Sequence, residues 1–108
     1  MALGHLNRAL ELDPNFAKAY SLRAHIHYLR RNYPGALEDA DRTIALEPHL
    51  GAHYYNRGYF REFLKDYGGA LSDFRRAREL AIEQEDDDLV DATDHHIPDL
   101  ERWLTGIE

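Results

Sequence analysis

Asn32-Tyr33-Pro34-Gly35-Ala36-Leu37 returns 34 residues later as Asp66-Tyr67-Gly68-Gly69-Ala70-Leu71. The match extends outward on both sides. Tyr20 falls on Tyr54, Asp39 on Asp73 and Leu46 on Leu80, so residues 17–50 and 51–84 superimpose without a gap. A repeat of this length is one supersecondary unit, a helix pair that cannot bury its apolar face alone and gains stability by stacking on a neighbour. Such an assembly offers a surface that holds a partner, not a centre that transforms one.

Around each copy of the motif the residues divide into two helices and a turn. The first helix opens at Phe16 or Ala17 and runs to about Arg31, with Tyr20, Ala24, His27 or Tyr28 and part of the Leu29 region facing inward. Asn32-Tyr33-Pro34-Gly35 is the turn, and Pro34 suits the start of a helix, where its missing N–H costs little. Residues 35–47 form the partner helix, with Ala36, Leu37, Ala40, Thr43 and Ile44 inward. Glu47-Pro48 breaks the chain. Residues 51–65 repeat the first helix and are rich in aromatics: Tyr54, Tyr55, Tyr59, Phe60 and Phe63. After Asp66-Tyr67-Gly68, residues 69–84 bury Ala70, Leu71, Phe74, Ala77 and Leu80. Small residues at fixed places let paired helices approach closely, and larger ones such as Leu37 and Phe74 fill the wedge between units.

Upstream, Leu3, Leu6, Ala9 and Leu10 form a helical stripe that ends at Asp13-Pro14-Asn15. Downstream, Glu85-Asp86-Asp87-Asp88 interrupts the periodicity, since adjacent carboxylates repel and need solvent. Leu100, Trp103, Leu104 and Ile107 then recur at i, i+3, i+4 and i+7, which predicts a short helix over 98–106. The expected organisation is helical repeats over 1–84 (a half unit at 2–16, units at 17–50 and 51–84). An acidic linker and a short amphipathic terminal helix over 85–108 follow, the helix either capping the stack or docking on another chain.

The length of 108 residues allows one domain with a modest core. The absence of cysteine excludes disulfides, thiolate chemistry and cysteine-ligated metals. No apolar run approaches the roughly 20 residues of a membrane span, and no signal-peptide pattern opens the chain. These features lead to the expectation of a cytoplasmic protein with no membrane partner. The net charge of −7 is uneven. Residues 1–82 hold twelve Lys or Arg against ten Asp or Glu, whereas residues 83–108 hold one Arg against ten acids. A nearly balanced body lacks the dense cationic face that phosphate backbones require, so no nucleic-acid partner is expected.

The pattern resembles the tetratricopeptide repeat (TPR) family over roughly residues 2–84. The first full unit reads Tyr20, Ala24, Tyr33, Ala36-Leu37, Ala40, Thr43, Pro48; the second reads Tyr54, Gly58, Tyr67, Ala70-Leu71, Phe74, Ala77. Ala2-Leu3, Leu6, Ala9 and Pro14 look like the second half of an earlier unit, which suggests a truncated start or an unusual amino-terminal cap. The resemblance implies an all-α fold, a short right-handed superhelical stack of antiparallel helix pairs (a TPR-like α-solenoid) with a C-terminal capping or docking helix. There are departures. Thr43 stands where alanine is usual, and Arg23 and Arg57 stand where leucine often does. Ile82 replaces the closing proline, which suggests that the helix continues into the acidic run.

The resemblance further implies that first helices line a concave groove that binds a peptide or helical segment. Candidate contacts are Lys18, Ser21, Leu22, His25, Tyr28 and Leu29, then Ala52, Tyr55, Asn56, Tyr59, Glu62 and Phe63. Tyrosine presents a wide apolar face with a polar end, and an asparagine amide can bond a partner's backbone. The competing expectation is that Tyr55, Tyr59 and Phe63 pack on a neighbouring helix, the tail or a second copy. Some family members clamp a chaperone's carboxyl terminus with asparagine and basic side chains; Asn56 and Lys18 match such positions, but Leu22 and Ala52 do not, and three complete units are missing. The expected partner is therefore a protein or peptide, with homo-oligomerisation through terminal helices as the alternative.

No cofactor or metal is expected. His25 and His27, and likewise His95 and His96, diverge on a helix, while His49 and His53 straddle a helix start. There is no phosphate-cradling glycine loop and no nucleophile elbow, so no enzyme is expected. The tail can also regulate, by shielding arginines or by placing Trp103 in the groove.

Overall fold

The computed structural model describes residues 2–106. Among these residues there are six helices and no strand: α1 (Ala2–Leu12), α2 (Ala17–Leu29), α3 (Tyr33–Leu46), α4 (Gly51–Phe63), α5 (Tyr67–Glu83) and α6 (Asp87–Thr105). They form two compact units that part after Pro48, α1–α3 in the first and α4–α6 in the second. No described helix is long and apolar enough to cross a membrane.

The same turn is used three times. The helix ends at Leu29, Phe63 and Glu83 are each followed by a residue in the left-handed region: Arg31 (φ 63°), Lys65 (φ 63°) and Glu85 (φ 57°). At each, the next N–H reaches back to close the helix: Asn32 to the His27 carbonyl, Asp66 to Arg61 and Asp86 to Ala81. This is the Schellman arrangement, and its hydrogen bonds offset the cost of a side chain at positive φ. The residue that closes one helix then caps the next. Asn32, Asp66 and Asp86 accept side-chain hydrogen bonds from the N–H groups of Gly35, Gly69 and Leu89. The joints at Pro14 and Pro48 lack this device, since Phe16 and Leu50 cap nothing with their side chains.

The third turn corrects two expectations. The helix passes Ile82 by one residue but does not enter the acidic run at 85–88; the Schellman bonds stop it at Glu83 without proline. Nor is that segment a linker before a short helix over 98–106, because α6 begins at Asp87. The carboxylates gather at the helix amino terminus, where Asp86 caps and Asp87 and Asp88 face the positive end of the helix dipole. Repulsion among them is thus set against a favourable field. Pro98 lies inside α6 without ending it.

In the first unit Leu10 of α1 packs on Ala19 and Tyr20 of α2, flanked by Leu6 and Ala9. The Tyr20 hydroxyl donates to the Pro14 carbonyl at 2.9 Å, fixing the α1–α2 joint. Ala24, Ala36, Ala40 and Ile44 are buried as expected, whereas Leu29 is 76% exposed and belongs to the surface. Thr43 is buried with its hydroxyl donated to the Asp39 carbonyl at 2.8 Å, so a polar side chain in an alanine position costs nothing unsatisfied.

In the second unit Ala70, Leu71, Phe74 and Leu100 form the core, with Tyr55, Tyr59, Tyr67 and Ile97 packed against it. Helix α6 runs back along α5: Arg78 bonds Asp94, and the earlier Arg75 bonds the later Glu101, the order of an antiparallel pair. Gly58 lets α4 approach α5 closely, since an added Cβ would lie 3.2 Å from the Ala70 carbonyl oxygen. The terminal stripe is only partly internal. Leu100 is buried and joined by Thr93, but Trp103 and Leu104 are exposed; Ile107 lies outside the described residues.

Candidate functional site

Arg23 and Arg57, in leucine positions by resemblance, hold buried carboxylates. Arg23 donates through Nε and Nη2 to both oxygens of Asp39, each at 2.7 Å. Arg57 does the same to Asp73, at 2.9 and 2.8 Å. Asp39 and Asp73 are 3% and 2% exposed. A residue one turn beyond each arginine ties the carboxylate to the helix cap. His27 Nε2 lies 3.5 Å from Asp39 while its Nδ1 meets the Asn32 amide at 3.3 Å. Arg61 donates to Asp73 at 2.9 Å and lies 3.8 Å from Asp66. A neutral cap, Asn32, goes with histidine and a charged cap, Asp66, with arginine. The Asp39 carboxylate holds the Arg23 pKa above its ordinary value. These networks tie the two helices of each hairpin together.

The α4 aromatics face a different partner. Tyr55 and Tyr59 stack at 6.4 Å, and Tyr59 meets Phe63 at 5.4 Å. The imidazole of His96, from α6, lies flat on Phe74 (4.5 Å, 16°) and edge-on to Tyr55 and Tyr59 at 5.6 and 6.0 Å. One tautomer of the neutral ring satisfies both its polar neighbours: Nδ1–H donates to Glu62 at 3.1 Å, and Nε2 accepts the Tyr55 hydroxyl at 3.1 Å. Burial above all, with Tyr59 and Glu62 nearby, raises the pKa of the Tyr55 phenol.

Of the candidate contacts, Lys18, Leu22, His25 and Leu29 are exposed on α2, with Ser21 and Tyr28 half-buried beside them. On α4, Ala52 and Phe63 are exposed and Asn56 is half-buried, whereas Tyr55, Tyr59 and Glu62 are engaged by His96. The packing expectation therefore holds for Tyr55 and Tyr59, and the tail residue that meets them is His96. Trp103 packs instead on Tyr67, at 5.5 Å. Lys18 and Asn56, the two clamp-like positions, stand in different units. Among the described residues no group of three or more His, Asp or Glu is arranged to hold a metal ion.

Sequence reasoning missed His96 by treating it as half of a diverging pair. Counting back from Leu100 by four and seven residues reaches His96 and Thr93, a stripe that continues the one read forward from Pro98.

The six helices with their capped hairpin turns have the fold of tetratricopeptide repeat domains. Three solved structures show the likeness. The TPR2B domain–pHsp70 complex of yeast Sti1 is 20% identical, with a TM-score of 0.85 over 94% of this chain and 81% of that one. The first TPR of Spaghetti (RPAP3) bound to the HSP90 peptide SRMEEVD is 18% identical, with a TM-score of 0.81 over 95% and 77%. The Sgt2 TPR domain from Aspergillus fumigatus is 21% identical, with a TM-score of 0.80 over 95% and 66%. No family model and no curated protein sequence matches the chain.

Proposed function

We propose that this chain is a protein-interaction module that binds a peptide or helical segment, with the exposed face of α2 as its contact surface. The face comprises Lys18, Ser21, Leu22, His25, Tyr28 and Leu29, at helical spacing along one side. Leucines 46% and 76% exposed, interspersed with polar groups, suit an amphipathic segment better than bulk water. Asn56 and Phe63 of α4 are the second unit's candidates. The observation that carries the reading is this exposed apolar–polar stripe on a fold whose solved examples include peptide complexes.

The test is selection from a displayed random-peptide library, followed by affinity measurement on the parent and on Leu22→Asp with Leu29→Asp. The expected result is at least a tenfold loss in a variant whose circular dichroism is unchanged. Full affinity in a folded variant overturns the assignment of α2.

A second reading, self-association, is favoured by Leu12 and Phe16, which are 76% and 43% exposed at the α1–α2 joint. Sedimentation separates the two: a 12.6 kDa monomer at high concentration removes it, and a dimer lost on Leu12→Asp supports it.

A further inference from the structure

A cleft of about 210 Å³ opens in the second unit, lined by Glu62, Tyr67, His95, His96, Asp99, Leu100 and Trp103. Drug-sized ligands occupy roughly 300–1,000 Å³, so this cleft suits one side chain and not a cofactor. Its walls are of two kinds. Trp103, 67% exposed, stands edge-on to Tyr67, and two carboxylates, Glu62 and Asp99, share the rim. Glu62 accepts from the Nδ1–H of His96 at 3.1 Å, which fixes its carboxylate beside the cleft. Asp99 is paired with Arg102, both exposed, and such pairs exchange readily with a better partner.

The electrostatics of the unit favour one sign of ligand. Residues 49–108 carry seven Lys or Arg against fourteen Asp or Glu, so the whole net charge of −7 resides there. Each of its six arginines already meets a carboxylate: Arg57 and Arg61 meet Asp73, Arg75 meets Glu101, Arg76 meets Glu79, Arg78 meets Asp94 and Arg102 meets Asp99. Apart from Lys65 in the α4–α5 turn, an anionic peptide would have to displace one of these partners to reach a cation. A cation gains the faces of Trp103 and Tyr67 together with Glu62.

We propose that this cleft binds the cationic side chain, arginine or lysine, of a partner peptide. The proposal rests on the peptide-binding reading but concerns a separate place, α6 with the α4–α5 turn, and opposite charge to the acidic peptide SRMEEVD seen on one structural neighbour.

Trp103 is the chain's single tryptophan and reports on the cleft directly. An Arg–Gly hexapeptide and its Glu–Gly counterpart are titrated into the full chain, following Trp103 fluorescence and backbone amide shifts. The expected result is a saturable Trp103 response to the Arg peptide and none to the Glu peptide. Glu62→Gln weakens binding about tenfold, while Asp88→Asn, outside the cleft, changes it less than twofold. Equal losses in the two variants would reveal diffuse attraction and overturn the site. A silent Trp103 overturns it as well, even if α2 amides shift, a result that leaves the α2 reading standing. A Trp103 response with silent α2 amides supports the cleft and leaves the α2 reading to its own test.

Discussion

Replacing Asp73 by alanine removes the hub of the second unit. Three hydrogen bonds of 2.8–2.9 Å are lost, two from Arg57 and one from Arg61. Hydrogen bonds to charged groups contribute about 1.5–3 kcal/mol each, but the three act as one unit and do not add. The guanidiniums left behind are 19% and 24% exposed, so part of their charge recovers water. Breaking a fully buried pair costs about 3–5 kcal/mol, and the lower end, about 3 kcal/mol, applies here. For a domain of this size that lowers Tm by roughly 10–20 °C. Asp39→Ala, which loses two short bonds, is expected to cost less, about 2 kcal/mol. Urea unfolding followed by far-ultraviolet dichroism and by Trp103 fluorescence measures the loss, with the tryptophan reporting on the second unit. The double replacement Arg57→Leu with Asp73→Leu should recover most of the stability, since no charge is stranded. A loss below 1 kcal/mol for Asp73→Ala refutes the claim that the network braces the hairpin.

Two further outcomes are expected. Gly51→Ala destabilises by about 1–2 kcal/mol despite alanine's better helix propensity, because its Cβ would lie 2.8 Å from the Ala77 carbonyl oxygen and 3.0 Å from Leu89; thermal unfolding reads the sign, and a rise in Tm contradicts the packing. Tyr55 holds its proton above the ordinary phenol value near 10. Its folded pKa exceeds its unfolded one, so its contribution is complete below pH about 10 and is lost as pH rises through the folded value. Tyr55→Phe should flatten the loss of stability between about pH 9 and 11, measured by urea unfolding across that range.

Much of the fold was legible because the 34-residue period repeats local chemistry. Asn32 and Asp66 sit at the same place in two turns and perform the same cap. Alanine and glycine positions announced where helices approach. The third turn was hidden because Glu85-Asp86 resembles a charged run, and its meaning depends on backbone geometry: Glu85 at positive φ and Asp86 as cap. The arginine–aspartate braces were present in the letters as a separation of 16 residues in both copies, Arg23 to Asp39 and Arg57 to Asp73. They were obscured by reading each arginine alone as a departure. On α4 the sequence located the aromatic face but could not settle what meets it, because His96 lies 41 residues beyond Tyr55 and reaches it only through the α5–α6 turn.

That turn directs α6 back onto the α4 aromatics. The most direct test is a nuclear Overhauser measurement on the full chain, between the His96 ring protons and the rings of Phe74, Tyr55 and Tyr59. Centroid separations of 4.5–6.0 Å predict strong cross-peaks, together with ring-current shifts of the His96 protons from Phe74. A His96 ring at random-coil shifts with no such cross-peaks would contradict the account.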